Sequence, residues 1–300
     1  MTEDSDLATI IEGLDLLKGA GQPQRLGGLT NRVYRVGNYC LRVPGAGTEE
    51  YIDRKTEAVA AKEAAKAGVS PKVLHVDADT GIMVTRYIDG AVTMTPKEFA
   101  TRTGAPARAG QALAKLHRSG AIFPFRFELF AMIDDYLAIL STKEVDLPDG
   151  YHDVVAEAEA IRAALAAHPV ALAPCHCDPL CENFLDTGTK MWIVDWEYAG
   201  MNDPMWDLGD VSVEAGFNAG QDDAMLRAYF GGEACGFDRG RMVIYKAMCD
   251  LLWTLWGLIQ LANDNPAEDF RAYADGRFAR CKALMARSDF ATHIAAVAAG

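Results

Sequence analysis

The chain has 300 residues, half of them hydrophobic, and carries 42 acidic against 29 basic side chains, a formal charge of −13. That length builds one large domain or two lobes with a sizeable core. The acidic balance excludes the basic face of a nucleic-acid binder and suits a cationic ligand. Seven cysteines without a disulfide-like spacing point to a reducing, cytoplasmic setting. The acidic start, Met-Thr-Glu-Asp-Ser-Asp, lacks the basic n-region of a signal peptide. The longest apolar run, Met248 to Ala262, is broken by Asp250 and Gln260 and reads as a buried helix, so no stable membrane anchor is expected.

In chain order, Leu7, Ile10, Ile11, Leu14 and Leu17 fall on one face of a predicted helix from Asp6 to Leu17, with Ser5 as its N-cap. From Gln24 to Val43 the sequence predicts three strands joined by turns at Gly27-Gly28-Leu29-Thr30-Asn31 and Gly37-Asn38. A glycine-containing turn between antiparallel strands lets backbone N–H groups approach phosphates, and it serves equally well as a plain hairpin turn. Arg42 stands inside the otherwise apolar strand Tyr39 to Val43; a surface arginine on an edge strand is one reading, and a guanidinium that grips phosphate bidentately is the favoured one, because a partner, Glu57, follows. Residues Asp53 to Ala67 are alanine-rich and helical, ending at Gly68, with Glu57 one turn in. Lys72 to Val76 and Ile82 to Tyr87 form a second hairpin around Asp77 to Gly81. After Tyr87-Ile88-Asp89-Gly90 the composition turns helical, which places a lobe boundary near Gly90, with residues 1–90 before it and 91–300 after.

Three helical segments follow: Ala105 to His117 with Leu113 and Leu116 inward, the aromatic-rich stretch Phe125 to Leu140, and the amphipathic stretch Asp153 to Ala167. None carries a chemical signal, and His117 near a helix end reads as structural.

The stretch Cys175 to Gly200 is different. Asp178 and Asn183 sit in a proline-containing loop. A short hairpin, with its turn over Asp186 to Lys190, folds Asp195 back beside them. Two carboxylates and a carboxamide facing one small volume suit Mg²⁺, and a base, an Asn and an Asp near one hairpin are the parts of a phosphoryl-transfer site. Cys175, His176, Cys177 and Cys181 lack the gaps and the second ligand pair of a zinc site. His176 is expected to hydrogen-bond nearby backbone and fix the turn. Further on, Trp253 and Trp256 are three apart on one helix face, a spacing that more often packs a core than lines a ligand site.

The pattern His176-x-Asp178-x-x-x-x-Asn183, followed by Asp195 and Glu197-Tyr198, resembles the catalytic core of the choline/ethanolamine kinases, relatives of the aminoglycoside phosphotransferases that share the protein-kinase-like fold. The resemblance implies an α+β, bilobal chain: an N-lobe of antiparallel sheet plus helix, and a larger, mostly helical C-lobe bearing the catalytic hairpin. It implies ATP and Mg²⁺ as cofactors. Gly27, Gly28, Leu29, Thr30 and Asn31 would form the nucleotide loop, Arg42 would hold phosphates, Glu57 would pair with Arg42, and Tyr87 and Ile88 would form the adenine hinge. Asp178 would be the catalytic base, and Asn183 and Asp195 the metal ligands. Leu-Leu-Trp253-Thr-Leu-Trp256 and Tyr273-x-x-x-Arg277-Phe278 resemble that family's cage segments. Trp253, Trp256, Tyr273 and Tyr198 would then enclose a small amino alcohol, since a trimethylammonium is recognised by aromatic faces. Glu197 would be a longer-range counter-charge. Asp207 resembles a residue that buttresses the catalytic loop, although an ordinary helix cap is the simpler expectation. Cys177 departs from the family's usual Asn, and Leu180 and Cys181 fall in a variable part of the loop. Two other readings share most of these features: a kinase for an aminoglycoside or another amino alcohol, and a non-catalytic kinase-fold binding protein, which would be expected to lack one of Asp178, Asn183 or Asp195. The oligomeric state stays open, a homodimer included.

Overall fold

A computed structural model describes residues 3–27, 31–45 and 52–300. The chain opens with helix α1 (Glu3–Gly13) and a single 3-10 turn, Asp15–Leu17. The expected single helix is therefore broken at Gly13, and Ser5 lies inside α1 rather than capping it. Strands β1 (Gln24–Gly27), β2 (Asn31–Val36) and β3 (Tyr39–Pro44) follow, then helix α2 (Arg54–Lys66) and strands β4 (Val73–Val76) and β5 (Met83–Arg86). The five strands make one antiparallel sheet in the order β1-β2-β3-β5-β4. Strand β3 is thus central, so Arg42 is not on a sheet edge. Alternation along β2 and β3 turns Tyr34, Val36, Leu41 and Val43 to one side, where Leu7 of α1 and Leu17 close a small core. Asp53 caps α2 by accepting from Lys55 N at 2.9 Å, which fixes where Arg54 and Glu57 emerge.

A two-residue strand, β6 (Val92–Thr93), leads to α3 (Pro96–Thr101), α4 (Ala105–His117), α5 (Leu129–Leu140) and α6 (Tyr151–Ala167). Helix α5 starts four residues later than the sequence suggests. Residues 125–128 are drawn into an extended segment, with Phe127 N donating to Met201 O and Met201 N to Phe125 O. Strand β7 (Ala173–Cys175) then leads to the hairpin of β8 (Phe184–Asp186) and β9 (Met191–Ile193), to which β6 adds a third strand. Strand β10 (Gly200–Asn202) pairs back on β7, so the whole stretch between them is pinned at both ends. Helices α7 (Pro204–Glu214), α8 (Ala219–Phe230), α9 (Gly236–Ala262), α10 (Phe270–Met285) and α11 (Phe290–Ala299) complete the chain. Helix α9 is long and apolar enough to cross a membrane, but most of that apolar stretch is buried inside the fold, between α7, α10 and α11. An antiparallel sheet with one packed helix and a larger helical lobe is the expected α+β, protein-kinase-like architecture.

Candidate active site

The loop after β7 is held by its neighbours rather than by its own regular structure. Asp207, in the first turns of α7, accepts from His176 N at 2.7 Å and from Cys177 N at 2.9 Å. Its Oδ2 also lies 2.9 Å from His117 Nε2, whose other ring nitrogen meets the Tyr229 hydroxyl at 2.9 Å. The helix cap is instead Asp203, which accepts from Met205 N ahead of Pro204. Asp207 is therefore a buttress and not the cap that was the simpler expectation. His176 Nε2 donates to Val194 O at 2.9 Å, which leaves Nδ1 to accept from Asp178 N at 3.3 Å. Burial lowers the His176 pKa, consistent with that neutral tautomer. Cys177 and Asp195 both have φ of 67°, left-handed backbone that costs energy for a residue with a Cβ. Trp206 Nε1 donates to Cys177 O at 2.9 Å, one of the contacts that over-determine the turn.

These constraints bring Asp178, Asn183 and Asp195 together. Asn183 Nδ2 donates to Asp178 O at 3.0 Å, and Val194 N donates to Asn183 O at 2.9 Å, joining the loop to the strand end that carries Asp195. With Nδ2 committed, Asn183 would offer Oδ1 to a cation and Asp195, whose Oδ1 meets Arg42, its carboxylate. Such a donor set fits Mg²⁺, whose shell takes one or two carboxylates and completes itself with water and phosphate. The Asp178 carboxyl is pushed well above the usual carboxylate range, first by burial and then by the charges of Asp210, Asp195 and Glu214.

On the sheet side of Asp195 lies an ionic cluster that bridges the two lobes. Arg42 from β3 pairs with Glu57 of α2 and reaches Asp195 Oδ1 at 3.1 Å and Glu197 Oε1 at 3.2 Å, while its Nη2 donates to Gly81 O at 3.2 Å. Arg54 Nη1 pairs with Glu57 Oε2 at 2.9 Å and with Glu197 Oε1 at 3.0 Å. Asn31 Nδ2 donates to the same Glu197 oxygen at 2.6 Å. Burial works against the Arg42 charge, but Glu57 and Asp195 overcome it and hold the guanidinium's pKa above its ordinary value. Burial, followed by the Asp195 charge, pushes Glu197 up to about 7. Glu57, Asp195 and Glu197 each bring an oxygen within 4.8 Å of the others, and Arg42 Nη1 lies among them. The expected role of Glu197 is corrected here. Its carboxylate faces the cations of the sheet lobe rather than the aromatic residues, because consecutive residues leave the tight turn at 197–198 in different directions.

Tyr198 goes to the aromatic side. Its ring meets Trp253 edge-on at 5.4 Å, Trp253 meets Trp256 at 6.5 Å, and Trp256 meets Tyr273 at 5.7 Å. Trp256 Nε1 donates to the Tyr198 hydroxyl at 3.0 Å. Trp253 is buried, and its Nε1 lies 3.4 Å from Asp210 Oδ2; Trp256, Tyr198 and Tyr273 are half-buried. Arg277 stacks over Tyr273 with its guanidinium carbon 4.6 Å from the ring centre, and it pairs with Glu214 at 2.6 Å and Asp250 at 3.3 Å. Asp178 is within electrostatic reach of both groups: after burial, Asp210 and Asp195 raise its pKa, and its own charge is among those that raise the Tyr273 pKa.

The remaining expectations are distributed less evenly. Gly27 closes β1 with φ of 153°, and Gly28, Leu29 and Thr30 lie outside the described residues. Tyr87 N donates to Asn38 O at 3.0 Å, and the Arg35 guanidinium covers the Tyr87 ring at 4.0 Å. Sequence reasoning missed Arg54, Asp210 and Glu214. Arg54 stands three before Glu57, and Asp207, Asp210 and Glu214 are spaced three and four along α7, so helical periodicity could have grouped both sets.

Residues 22–245 match the Phosphotransferase enzyme family. Fold, loop and match together define a phosphotransferase of protein-kinase-like architecture. The chain is 68% identical to a choline/ethanolamine kinase family protein from Mesorhizobium loti, with all of both chains covered and a TM-score of 0.94. The choline kinase LicA from Streptococcus pneumoniae is 26% identical, with 94% of this chain and 99% of that one covered and a TM-score of 0.79. Protein LicA of Haemophilus influenzae is 25% identical over 264 residues, 83% of this chain and 75% of that protein. The chain belongs to the choline/ethanolamine kinase family.

Proposed function

We propose that the protein transfers the γ-phosphoryl group of ATP to the hydroxyl of choline or ethanolamine. The observation that carries this reading is the loop that bonds Asn183 to Asp178 O and, through Val194, to the strand end carrying Asp195, with Asp178 within electrostatic reach of the acidic and aromatic groups beyond. ATP would lie between the lobes formed by residues 1–90 and 91–300. The Gly27–Asn31 loop and Arg42 would hold its phosphates, with Glu57 and Arg54 fixing the guanidinium and Glu197. The Tyr87 N–H is committed to Asn38, so hinge contact with adenine would fall to Ile88. Asn183 and Asp195 would hold Mg²⁺, which neutralises phosphate charge when bound. Asp178 would accept the acceptor's hydroxyl proton. Its raised pKa fits that task once cations stand on both sides of it, because opposite charges favour the ionised form.

Trp253, Trp256, Tyr198 and Tyr273 would take the ammonium group, each aromatic face contributing about 0.5–2 kcal/mol. A polycationic aminoglycoside would need several free carboxylates rather than paired indoles, which disfavours that acceptor. The test is ADP release with choline, ethanolamine and kanamycin, using wild type and Asp178→Ala. The expected result is turnover of an amino alcohol by wild type only, with nucleotide binding kept in the variant. Retained turnover in Asp178→Ala would sink the assignment of the base.

A further inference from the structure

One carboxylate beside the aromatic group lacks a partner. Asp210 is fully buried, and its Oδ2 lies 3.4 Å from Trp253 Nε1, while Oδ1 has no hydrogen-bond donor. A buried acceptor left unmatched is costly, so a structure that keeps one invites a donor that arrives with a ligand. The nearby guanidinium does not supply it. Arg277 Nη1 is committed to Glu214 and Asp250, its guanidinium carbon lies over the Tyr273 ring, and its Nε, also without a partner, makes no bond to Asp210. No cation among the described residues pairs with Asp210. The acidic side chains here are Asp178, Asp210, Glu214 and Asp250 against Arg277 and Arg280, and burial, followed by neighbouring charges, raises the pKa of Asp178, Asp210 and Asp250, so a cationic ligand would favour their ionised forms.

The aromatic group is also incomplete as a cage for a quaternary ammonium. Arg277 already lies over the Tyr273 ring, and Phe270 and Tyr273 both pack against Trp256 in T-shaped contacts. A trimethylammonium offers no N–H to an orphan oxygen, whereas a primary, secondary or tertiary ammonium does.

Resting on the phosphotransfer reading above, we propose that Asp210 selects its acceptor, through a hydrogen bond from the ligand to Oδ1. The preferred substrate is then an amino alcohol whose protonated nitrogen keeps at least one N–H, of the ethanolamine class, with choline disfavoured. In this reading Trp253 orients Asp210, and Glu214 and Asp178 add attraction without specificity.

The experiment measures kcat and KM for wild-type protein with ATP and Mg²⁺ on ethanolamine and its N-methyl, N,N-dimethyl and N,N,N-trimethyl forms, the last being choline. One charge-assisted hydrogen bond sets the expected size of the effect. The step from the dimethyl to the trimethyl acceptor lowers kcat/KM by roughly 10- to 100-fold, chiefly through KM, and is larger than either earlier step. Asp210→Ala, checked for folding by its melting curve, should shrink that step. A wild type that uses choline as well as the dimethyl acceptor overturns the inference and leaves the kinase reading standing. A folded Asp210→Ala that keeps the full step also overturns it. Turnover of none of the four overturns both readings. If Asp210→Ala does not fold, the wild-type series decides alone.

Discussion

Removing the Asp207 carboxylate should unfasten the catalytic loop while leaving every proposed ligand-contacting side chain in the sequence. Asp207→Ala deletes the acceptor of three bonds, from His176 N at 2.7 Å, Cys177 N at 2.9 Å and His117 Nε2 at 2.9 Å. Two of those donors are backbone N–H groups of buried residues, and each unmatched donor costs about 1–3 kcal/mol. Cys177 would also lose part of what holds it at φ of 67°. Relaxation offsets some of this, so a net loss of about 3–5 kcal/mol is expected, comparable to breaking a buried pair. In a chain of this size that lowers the melting temperature by roughly 10 °C. Activity should fall further than folding alone explains, since an error of about 1 Å in the Asp178 position costs on the order of 100-fold. Thermal melts and kcat at saturating substrates, on Asp207→Ala and Asp207→Asn, read both effects. The amide keeps an acceptor oxygen and should show the smaller loss. If Asp207→Ala melts with wild type and keeps its kcat, the buttress has no such role and the loop is held by other contacts.

Other perturbations separate the two ends of the site. Trp256→Ala should raise the amino-alcohol KM about tenfold with little change in the nucleotide KM, since the half-buried ring contributes roughly one cation–π contact and one bond to Tyr198; an unchanged amino-alcohol KM would assign the ring to packing. Trp253→Ala should raise that KM too, and, because the ring is buried, also destabilise the fold by about 3–5 kcal/mol. Arg42→Lys keeps the charge but cannot meet both the carboxylates and Gly81 O, so the nucleotide KM should rise about tenfold while the acceptor KM holds; equal nucleotide KM values would remove Arg42 from phosphate binding. Glu197 is raised to about 7 from an ordinary value of 4.5, so the folded protein binds more protons than the unfolded chain between those values. Its contribution to stability is present below about 4.5 and is lost as pH rises through about 7. Denaturant titrations of the ligand-free protein should show Glu197→Gln flattening that decline, and identical pH slopes would contradict the assigned environment.

The sequence disclosed the site where the chemistry needs particular residue types at close spacing, and obscured it where the determinant is direction. The closeness of Asp178, Asn183 and Asp195 was legible because a loop and a short hairpin leave little freedom in where they meet. The Trp253 and Trp256 pair was legible because helical spacing fixes a shared face. Glu197 and Tyr198 were not separable, because a tight turn has no period that says which neighbour faces which lobe. Asp207 carried two local signals at once, and the competing cap was decided by Asp203-Pro204, a stronger helix start. Arg54 and Asp210 act through partners more than 30 residues away or on another helix, and composition does not reveal such pairings. Whether Arg42 sat on an edge strand was not legible, because strand order is set by pairing, and β3 pairs with both β2 and β5.

The charges also give a reason why such a site would transfer phosphate to its acceptor rather than waste it on water. Burial, followed by the charges of Asp210, Asp195 and Glu214, raises the Asp178 pKa. A protonated Asp178 is no base. In the proposed site, a cation beside Asp195 would relieve one side and an ammonium beside Asp210 the other, and each would lower the cost of ionising Asp178. With nucleotide alone, half of that relief would be missing, so the base would be weaker when only water could attack than with the amino alcohol in place. The same acidic residues that would attract the substrate cation would then make its arrival a condition for activating the hydroxyl, with no moving lid required.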